Sequence, residues 1–168
     1  MAELGWLALS LPEEYGGIGG GPVDIMVLME EFGRGLVVEP YMTSIVIGGG
    51  FLMAAGSKEQ KTALLPKLAA GELKLAFAYA ERQSRFDLND VECTASGGGD
   101  SYKISGHKGV VFHAATADKI IVSARTSGSS RDADGITLFL VDNNSDGLSR
   151  RDYPTVDGLR ASELEMHG

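Results

Sequence analysis

Residues 65–81 read Leu-Pro-Lys-Leu-Ala-Ala-Gly-Glu-Leu-Lys-Leu-Ala-Phe-Ala-Tyr-Ala-Glu, and the hydrophobic pattern of the chain changes within this stretch. Up to Gly71, which is predicted to end a helix, the chain carries helix signals. Beyond it, aromatic residues and alanines alternate over residues 76–80, as expected for a strand. Because helix signals precede this stretch and strand signals follow it, the sequence predicts an α+β fold with domains at residues 1–72 and 73–168.

An amphipathic helix is predicted upstream, over Val23–Phe32. Its apolar residues fall at i, i+3, i+4 and i+7 on one face, and they are Ile25, Leu28, Met29 and Phe32. Pro22 suits the first turn, and Gly33 is predicted to end the helix. The preceding run Gly16–Gly21 is predicted to be a flexible loop, because a nucleotide-binding glycine loop needs a strand before it and a βαβ unit around it.

Two more helices are predicted before the boundary. The long apolar stretch Thr43–Ala55 indicates a buried helix, although its three consecutive glycines weaken the helical preference. Ser57 and Gln60 have the spacing of a capping box, in which each side chain bonds the other residue's backbone N–H. The helix that starts there is expected to kink or restart at Pro66.

Strands are predicted after the boundary. Besides the alternating stretch already quoted, the candidates are Val91–Ala95, Tyr102–Ser105 running into Lys108–Phe112, Lys119–Ala124 and Ile136–Val141. The cluster at residues 97–100 is predicted to be a hairpin loop, and the polar residues 127–134 an exposed connection. The result is a helical module followed by a strand module.

Composition excludes several classes of function. The 15 Lys and Arg residues against 23 Asp and Glu residues give a net charge of −8, with no basic cluster, so nucleic acid and anionic membranes are poor partners. No apolar run reaches the roughly 18 residues that span a bilayer, and the N-terminus lacks a signal-peptide pattern. The lone Cys93 agrees with a reducing compartment. We therefore expect a soluble, cytoplasmic protein.

Common catalytic and metal-binding patterns are missing from the sequence. The three histidines have no i, i+4 pairing and no carboxylate at ligand spacing, so no metal site is predicted. No Gly-x-Ser-x-Gly motif of serine hydrolases occurs. The paired acids Glu13–Glu14, Glu30–Glu31 and Glu163/Glu165 are interpreted as solvated helix or loop residues rather than as general acids and bases.

A series of motifs in a fixed order along the chain carries a family resemblance. They are Glu3–Trp6 with Pro12–Gly17, Gly56–Lys61, Leu65–Glu72, and the strand motifs Tyr102–Lys108 and Ala117–Arg125. The chain resembles acyl-CoA dehydrogenases, flavoproteins that desaturate an acyl-CoA thioester between its α and β carbons. The resemblance covers nearly the whole chain.

The resemblance implies an N-terminal helical domain and an antiparallel, β-barrel-like middle domain. The C-terminal helical bundle of the family is absent, and so are its opening helices, so we expect a portion of a longer enzyme. For the whole protein the resemblance implies FAD as cofactor, acyl-CoA as substrate, an electron-transferring flavoprotein as partner, and a homo- or hetero-tetramer. Divergent members, such as the smaller subunit of pimeloyl-CoA dehydrogenase, share this pattern, which leaves open the alternative of a non-catalytic partner subunit.

The resemblance also assigns candidate flavin-binding residues, on the segments 76–81 and 110–113. They are Phe77, Tyr79, Ala80, Val110 and Phe112. The family commonly has a threonine at the position of Ala80 and a stacking tryptophan at that of Val110. Backbone contacts survive such changes and a hydroxyl donor does not, so flavin binding is expected to be weaker than in typical members.

No catalytic residue is assigned, because the family's catalytic base is a glutamate of the C-terminal bundle. Glu81 is interpreted instead as an exposed acid in a turn after a strand. By the same resemblance, the helix that starts at Thr43 is expected to flank the acyl pocket. Ser44 and Gly48–Gly50 would leave room there for a bulky acyl chain.

Overall fold

The computed structural model describes residues 1–99 and 101–168 and divides into two compact units, Met1–Leu75 and Ala76–Gly168. The predicted hairpin loop over residues 97–100 includes Asp100, which lies outside the described residues. Among the described residues, every helix falls short of the length and apolar character that a bilayer crossing needs.

The first unit is helical. After three short 3₁₀ turns its helices are α1 (Pro22–Arg34), a π-helical segment (Met42–Gly49) that continues into α2 (Gly50–Ala55), and α3 (Lys58–Ala70). Its core is made largely of leucine, and Leu11, Leu65 and Leu68 are completely buried. Burial of this apolar surface is the main force that holds these short helices together.

The ends of the helices follow the sequence signals in part. Helix α3 begins with the predicted capping box, since Gln60 N donates to Ser57 Oγ (3.2 Å) and Ser57 N donates to Gln60 Oε1 (2.9 Å). It ends at Gly71, whose φ of 75° is left-handed. It does not restart as a separate helix at Pro66 but continues to Ala70, with buried leucines on either side of the proline. Helix α1 likewise runs through Gly33, and its last residue Arg34 pairs with two glutamates one turn earlier.

The glycine run Gly16–Gly21 forms the predicted loop before α1, and backbone hydrogen bonds join it to the preceding turns. Its amides donate to carbonyls of the preceding turns, for example Gly19 N to Leu11 O (2.9 Å) and Gly20 N to Leu9 O (2.7 Å). A Cβ on Gly17 would lie 1.8 Å from the Leu11 carbonyl oxygen. The glycines are needed because two backbone segments cross here in close contact.

Ala76–Gly168 is built on a curled, mixed sheet. In chain order the strands are β1 (Leu75–Ala78), β2 (Thr94–Gly98), β3 (Ser101–Phe112), β4 (Lys119–Arg125), β5 (Ile136–Asp142), β6 (Leu148–Pro154) and β7 (Arg160–His167). Over the described residues the order is β1-β4-β2-β3-β7-β6, with β5 on β4. The ladders of β2–β3, β3–β7, β4–β5 and β6–β7 are antiparallel, and the single β2–β4 bridge is parallel. The predicted fold class is confirmed.

Several strand predictions need correction. The candidate Tyr102–Ser105 running into Lys108–Phe112 is confirmed as the continuous strand β3, whereas the candidate at 91–95 is displaced to β2. Strands β6 and β7 were not predicted. Glu163 and Glu165, interpreted as helix or loop residues, lie on β7, which alternates buried Leu164 and Met166 with charged residues. The high charge of β6 and β7 hides the period of two in the sequence.

Candidate functional site

A cavity of about 400 Å³ lies at the end of β1, within the strand unit. It is lined by Ala80, Glu81 and Arg82 after β1, by His107, Gly109 and Val110 on β3, and by Glu163 on β7. Its volume lies in the range of small-molecule pockets, roughly 300–1,000 Å³. Arg82 and His107 provide cationic and hydrogen-bonding groups at its wall.

One wall of this cavity is an irregularity in β3. The register of β3 against β7 shifts between Lys108 and Val111, so Gly109 and Val110 leave the regular ladder. The Gly109 amide donates instead to the Ala80 carbonyl (2.9 Å). Val110 has a φ of 50°, a conformation that a β-branched residue rarely adopts and that costs on the order of 1–3 kcal/mol. The cavity wall is therefore strained and held by a specific hydrogen bond.

A buried ion pair lies behind this wall. Lys108 is 0% exposed and is the largest fully buried side chain among the described residues. Its Nζ donates to Glu81 Oε1 (2.6 Å), to Ser123 Oγ (3.0 Å) and to the Tyr79 carbonyl (3.4 Å). All three protons of the ammonium group thus have an acceptor, which a buried lysine requires.

Glu81 is buried, so its interpretation as an exposed turn acid was wrong. Its carboxylate also accepts from Glu92 N (2.7 Å), Cys93 N (3.2 Å) and Gln83 Nε2 (2.8 Å). Burial by itself raises the pKa of this carboxyl, but the bonds from Lys108, Gln83 and Glu92 outweigh burial and hold the pKa below its usual value. A carboxylate that is ionised and fully hydrogen-bonded is a poor general base.

Two other titratable groups of this unit are shifted by burial. Desolvation raises the pKa of the Cys93 thiol to about 11, so it is not a reactive thiolate at neutral pH. His113 follows β3 with a left-handed φ of 59°, and burial lowers its pKa while the nearby Asp157 opposes that shift. Neither group lines the cavity.

The predicted cofactor residues fall into two groups. Ala80 and Val110 line the same cavity. Phe77 and Tyr79 lie beside each other, with stacked rings whose centroids are 5.1 Å apart. Phe112 lies on β3 after the irregularity at Gly109 and Val110, and it pairs with Ala161 of β7. Tyr79 and Ala80, predicted as strand residues, lie beyond the end of β1. The structure thus brings together Ala80 and Val110, the two positions at which the resemblance implied a threonine and a tryptophan.

Two of the predicted acyl-pocket residues, Ser44 and Gly48, contact Leu75 inside the helical unit. Ser44 Oγ accepts from the Leu75 amide (3.0 Å). A Cβ on Gly48 would lie 2.7 Å from Leu75 Cβ, and a Cβ on Gly49 would lie 3.4 Å from Leu11 Cδ2. Leu75 therefore occupies the space beside Gly48, whereas a Cβ on Gly49 would make only ordinary contact and Gly50 faces open space. Ser44 also lines a cavity of about 250 Å³ within the helical unit.

Sequence reasoning missed Lys108, Arg82, His107 and Glu163. For Lys108 a signal was available, because the period of two from Ile104 through Gly106 places it on the inward face of β3. A lysine at an inward position requires a buried acid, and Glu81, three residues after the end of β1, supplies it. No group of three His, Cys, Asp or Glu side chains that could hold a metal occurs within residues 1–99 and 101–168.

Comparison with family models identifies the class of protein. The acyl-CoA dehydrogenase N-terminal domain matches residues 1–72, and the acyl-CoA dehydrogenase middle domain matches residues 76–167. The chain belongs to the acyl-CoA dehydrogenase family, whose members are flavoproteins. The resemblance drawn from the sequence motifs is confirmed.

Individual relatives agree with this assignment. The chain is 32% identical over its whole length to (2S)-methylsuccinyl-CoA dehydrogenase of Cereibacter sphaeroides. It is 34% identical, over 89% of its length, to the caffeyl-CoA reductase–Etf complex subunit CarC of Acetobacterium woodii. It spans 30% and 40% of the lengths of these two relatives. Among solved structures it is similar to a chain of the ChsE4–ChsE5 complex from Mycobacterium tuberculosis, with a TM-score of 0.87, 32% identity, and coverage of 99% of this chain and 44% of that one.

Proposed function

We propose that this chain is the flavin-facing portion of an FAD-dependent acyl-CoA dehydrogenase. The observation that supports this most directly is that Ala80 and Val110, which are far apart in sequence, line one cavity in a chain of this family. The cavity volume lies in the range of small-molecule pockets, and the lining offers the cation of Arg82 and the imidazole of His107. Ala80, Val110 and their neighbours Phe77, Tyr79 and Phe112 would hold the cofactor.

The proposed reaction forms a double bond between the α and β carbons of an acyl-CoA thioester. When bound, FAD accepts the hydride that leaves the β carbon, while a carboxylate base takes the proton of the α carbon. Glu81 is not this base, because its oxygens are already occupied by Lys108 and by backbone amides. The residues of this chain hold and orient the cofactor, and we assign none of them to proton transfer.

Partners and location follow from the same proposal. The two electrons would pass to an electron-transferring flavoprotein, in line with the Etf complex named for one relative. We propose a cytoplasmic enzyme of fatty acid or lipid metabolism, active as a homo- or hetero-tetramer. The 168-residue chain by itself is expected to turn over no acyl-CoA.

A second candidate is a non-catalytic partner subunit that supports an active paralogue. Ala80 has no hydroxyl and Val110 no aromatic ring, and both changes weaken a flavin site. The similarity to a chain of a two-protein complex also favours this candidate. It predicts that the protein takes up FAD weakly or only when its partner is present.

The test uses the protein expressed at its natural length. Purified protein is expected to be yellow, with flavin absorbance bands that bleach on addition of an acyl-CoA. If the protein shows flavin absorbance that acyl-CoA does not bleach, and coexpression with a second dehydrogenase subunit restores the bleaching, the result would support the partner role. A colourless protein that fails to take up added FAD, alone or with that subunit, contradicts the proposal.

A further inference from the structure

The ion pair of Lys108 and Glu81 connects separate segments of the strand unit. Through Lys108 it reaches Ser123 on β4 and the Tyr79 carbonyl after β1. Through Glu81 it reaches the amides of Glu92 and Cys93, on the approach to β2. These bonds join parts of the chain up to 29 residues apart in sequence.

Both members of the pair are adjacent in sequence to the cavity wall. Glu81 directly follows Ala80, and Lys108 directly precedes Gly109 and Val110. The amide of Gly109 and the carbonyl of Ala80 bond to each other across the two segments (2.9 Å). The ion pair and this backbone bond are therefore two successive links between the same two segments.

The wall needs such a restraint because it is not held by regular sheet structure. Gly109 and Val110 lie where the β3–β7 register shifts, and Val110 has an unfavourable positive φ. Strained backbone persists only where its surroundings enforce it. An apolar pair of similar volume would fill the same space, but it would not direct a hydrogen bond at the Tyr79 carbonyl.

We propose that Lys108 and Glu81 are positioning residues, which fix the backbone of Ala80 and Gly109–Val110 in the geometry that binds the flavin. The proposal rests on the proposed function for its ligand. Its structural half, the restraint on the wall, can be tested without any flavin. Neither side chain is assigned a proton-transfer role.

The decisive variant removes both charges, Lys108→Met with Glu81→Gln. It leaves no buried charge unpaired, and the introduced side-chain amide keeps an oxygen acceptor for the amides of Glu92 and Cys93, so this double variant is expected to fold. The single variant Lys108→Met leaves a buried carboxylate unpaired and is the less stable of the two. Arg125→Met is the matched control, because Arg125 is a second buried cation whose guanidinium bonds carbonyls of Asn89, Ser130, Asp132 and Asp134 rather than the cavity wall.

Two measurements are made on each variant, at a temperature where circular dichroism shows a folded chain. The first is the hydrogen exchange rate of the Gly109 amide in the absence of flavin. The second is the dissociation constant for added FAD, measured with the protein at its natural length. In the double variant we expect Gly109 exchange to accelerate by about tenfold or more and the FAD dissociation constant to rise by a similar factor, as for the loss of at least one well-aligned hydrogen bond. In Arg125→Met both quantities should stay within about twofold, although the melting temperature falls.

The outcomes separate the proposal from the proposed function. A double variant with unchanged Gly109 exchange and unchanged FAD affinity shows that the pair only stabilises the fold, and overturns the proposal. Equal losses in Arg125→Met and in the double variant also overturn it, because the effect would then be general. If the unmodified protein binds no FAD, the proposed function fails, while faster Gly109 exchange in the double variant still supports the restraint on the wall.

Discussion

The two units of the chain have interiors of different chemistry. In Met1–Leu75 the fully buried side chains are leucines, and glycines let helices and turns approach closely. The interior of Ala76–Gly168 also contains Lys108, Glu81 and Arg125, each with several hydrogen bonds. Leucine packing stabilises a fold without specifying where a particular carbonyl points, whereas a buried cation fixes the carbonyls that it bonds.

This difference matters for the candidate site. The polar groups in the strand unit are expensive to bury, and they recover that cost only if every partner is in place. They lie next to the irregular backbone of Ala80 and Gly109–Val110, where a ladder of regular hydrogen bonds is interrupted. The helical unit contains no comparable buried pair among its described residues, and its sequence shows the simpler pattern of apolar helix faces.

The largest effect is expected from breaking the ion pair on one side. Lys108→Met leaves the Glu81 carboxylate buried without its cation, so the free energy of unfolding should fall by about 3–5 kcal/mol. Urea denaturation followed by circular dichroism measures this change. The exposed pair of Lys119 and Asp142 provides the contrast, since Asp142→Asn should cost at most about 1 kcal/mol. If the free energy of unfolding fell equally in the two variants, burial of the Lys108–Glu81 pair would not explain the larger loss expected for Lys108→Met.

A smaller effect is expected from filling space in the helical unit. Gly48→Ala places a methyl group 2.7 Å from Leu75 Cβ, and such overpacking costs about 1–3 kcal/mol. The matched control is Gly50→Ala two residues later, where no atom lies within 4 Å. There the substitution should stabilise the helix by about 0.5–1 kcal/mol. The melting temperature of each variant measures these effects. If both substitutions shift it in the same direction, the packing described for Gly48 is contradicted.

In the strand unit, a substitution at Val110 is expected to stabilise the protein rather than destabilise it. Val110 is half exposed, so Val110→Gly removes little packing and relieves the unfavourable φ. The free energy of unfolding is expected to rise by about 1–2 kcal/mol. A decrease in urea denaturation experiments would mean that the Val110 side chain stabilises the wall more than its backbone conformation strains it.

The pH dependence of stability should differ between the protein and its Glu81→Gln variant. The pKa of the Glu81 carboxyl is lowered in the folded chain from an ordinary value of 4.5. Its contribution is therefore complete above the unfolded-state pKa and is lost as the pH falls through the lower, folded-state pKa. Stability measured from pH 7 downward should fall less steeply below pH 4.5 in Glu81→Gln. If the two proteins lost free energy of unfolding equally steeply as the pH fell, the assignment of an ionised, paired Glu81 would be contradicted.

The sequence predicted most of the fold because its signals are local. The capping box at Ser57, the helix end at Gly71 and the short apolar run of β4 need only neighbouring residues. Strands β6 and β7 were missed because their charged residues are stabilised by cross-strand pairs, such as Arg151 with Glu163, that a single strand does not reveal.

The candidate site was predicted only in part for the same reason. The resemblance pointed to Ala80 and Val110, but the partner of Glu81 lies 27 residues away on another strand. Glu81 lies three residues beyond β1, so the alternation of β1 does not place it, and the only signal for its burial is the inward position of Lys108 on β3. Pairing across such distances depends on the register of the sheet, which local patterns do not determine.

The most direct test of the account is a titration of the natural-length apo-protein with FAD, for the unmodified protein and for Ala80→Thr. The added hydroxyl supplies the donor that the resemblance implied for this position, and a neutral hydrogen bond contributes about 0.5–1.5 kcal/mol. We predict saturable binding of FAD that Ala80→Thr tightens by about twofold to tenfold. Absence of binding in both proteins, or an affinity that Ala80→Thr leaves unchanged or weakens, would contradict the assignment of this cavity to the flavin.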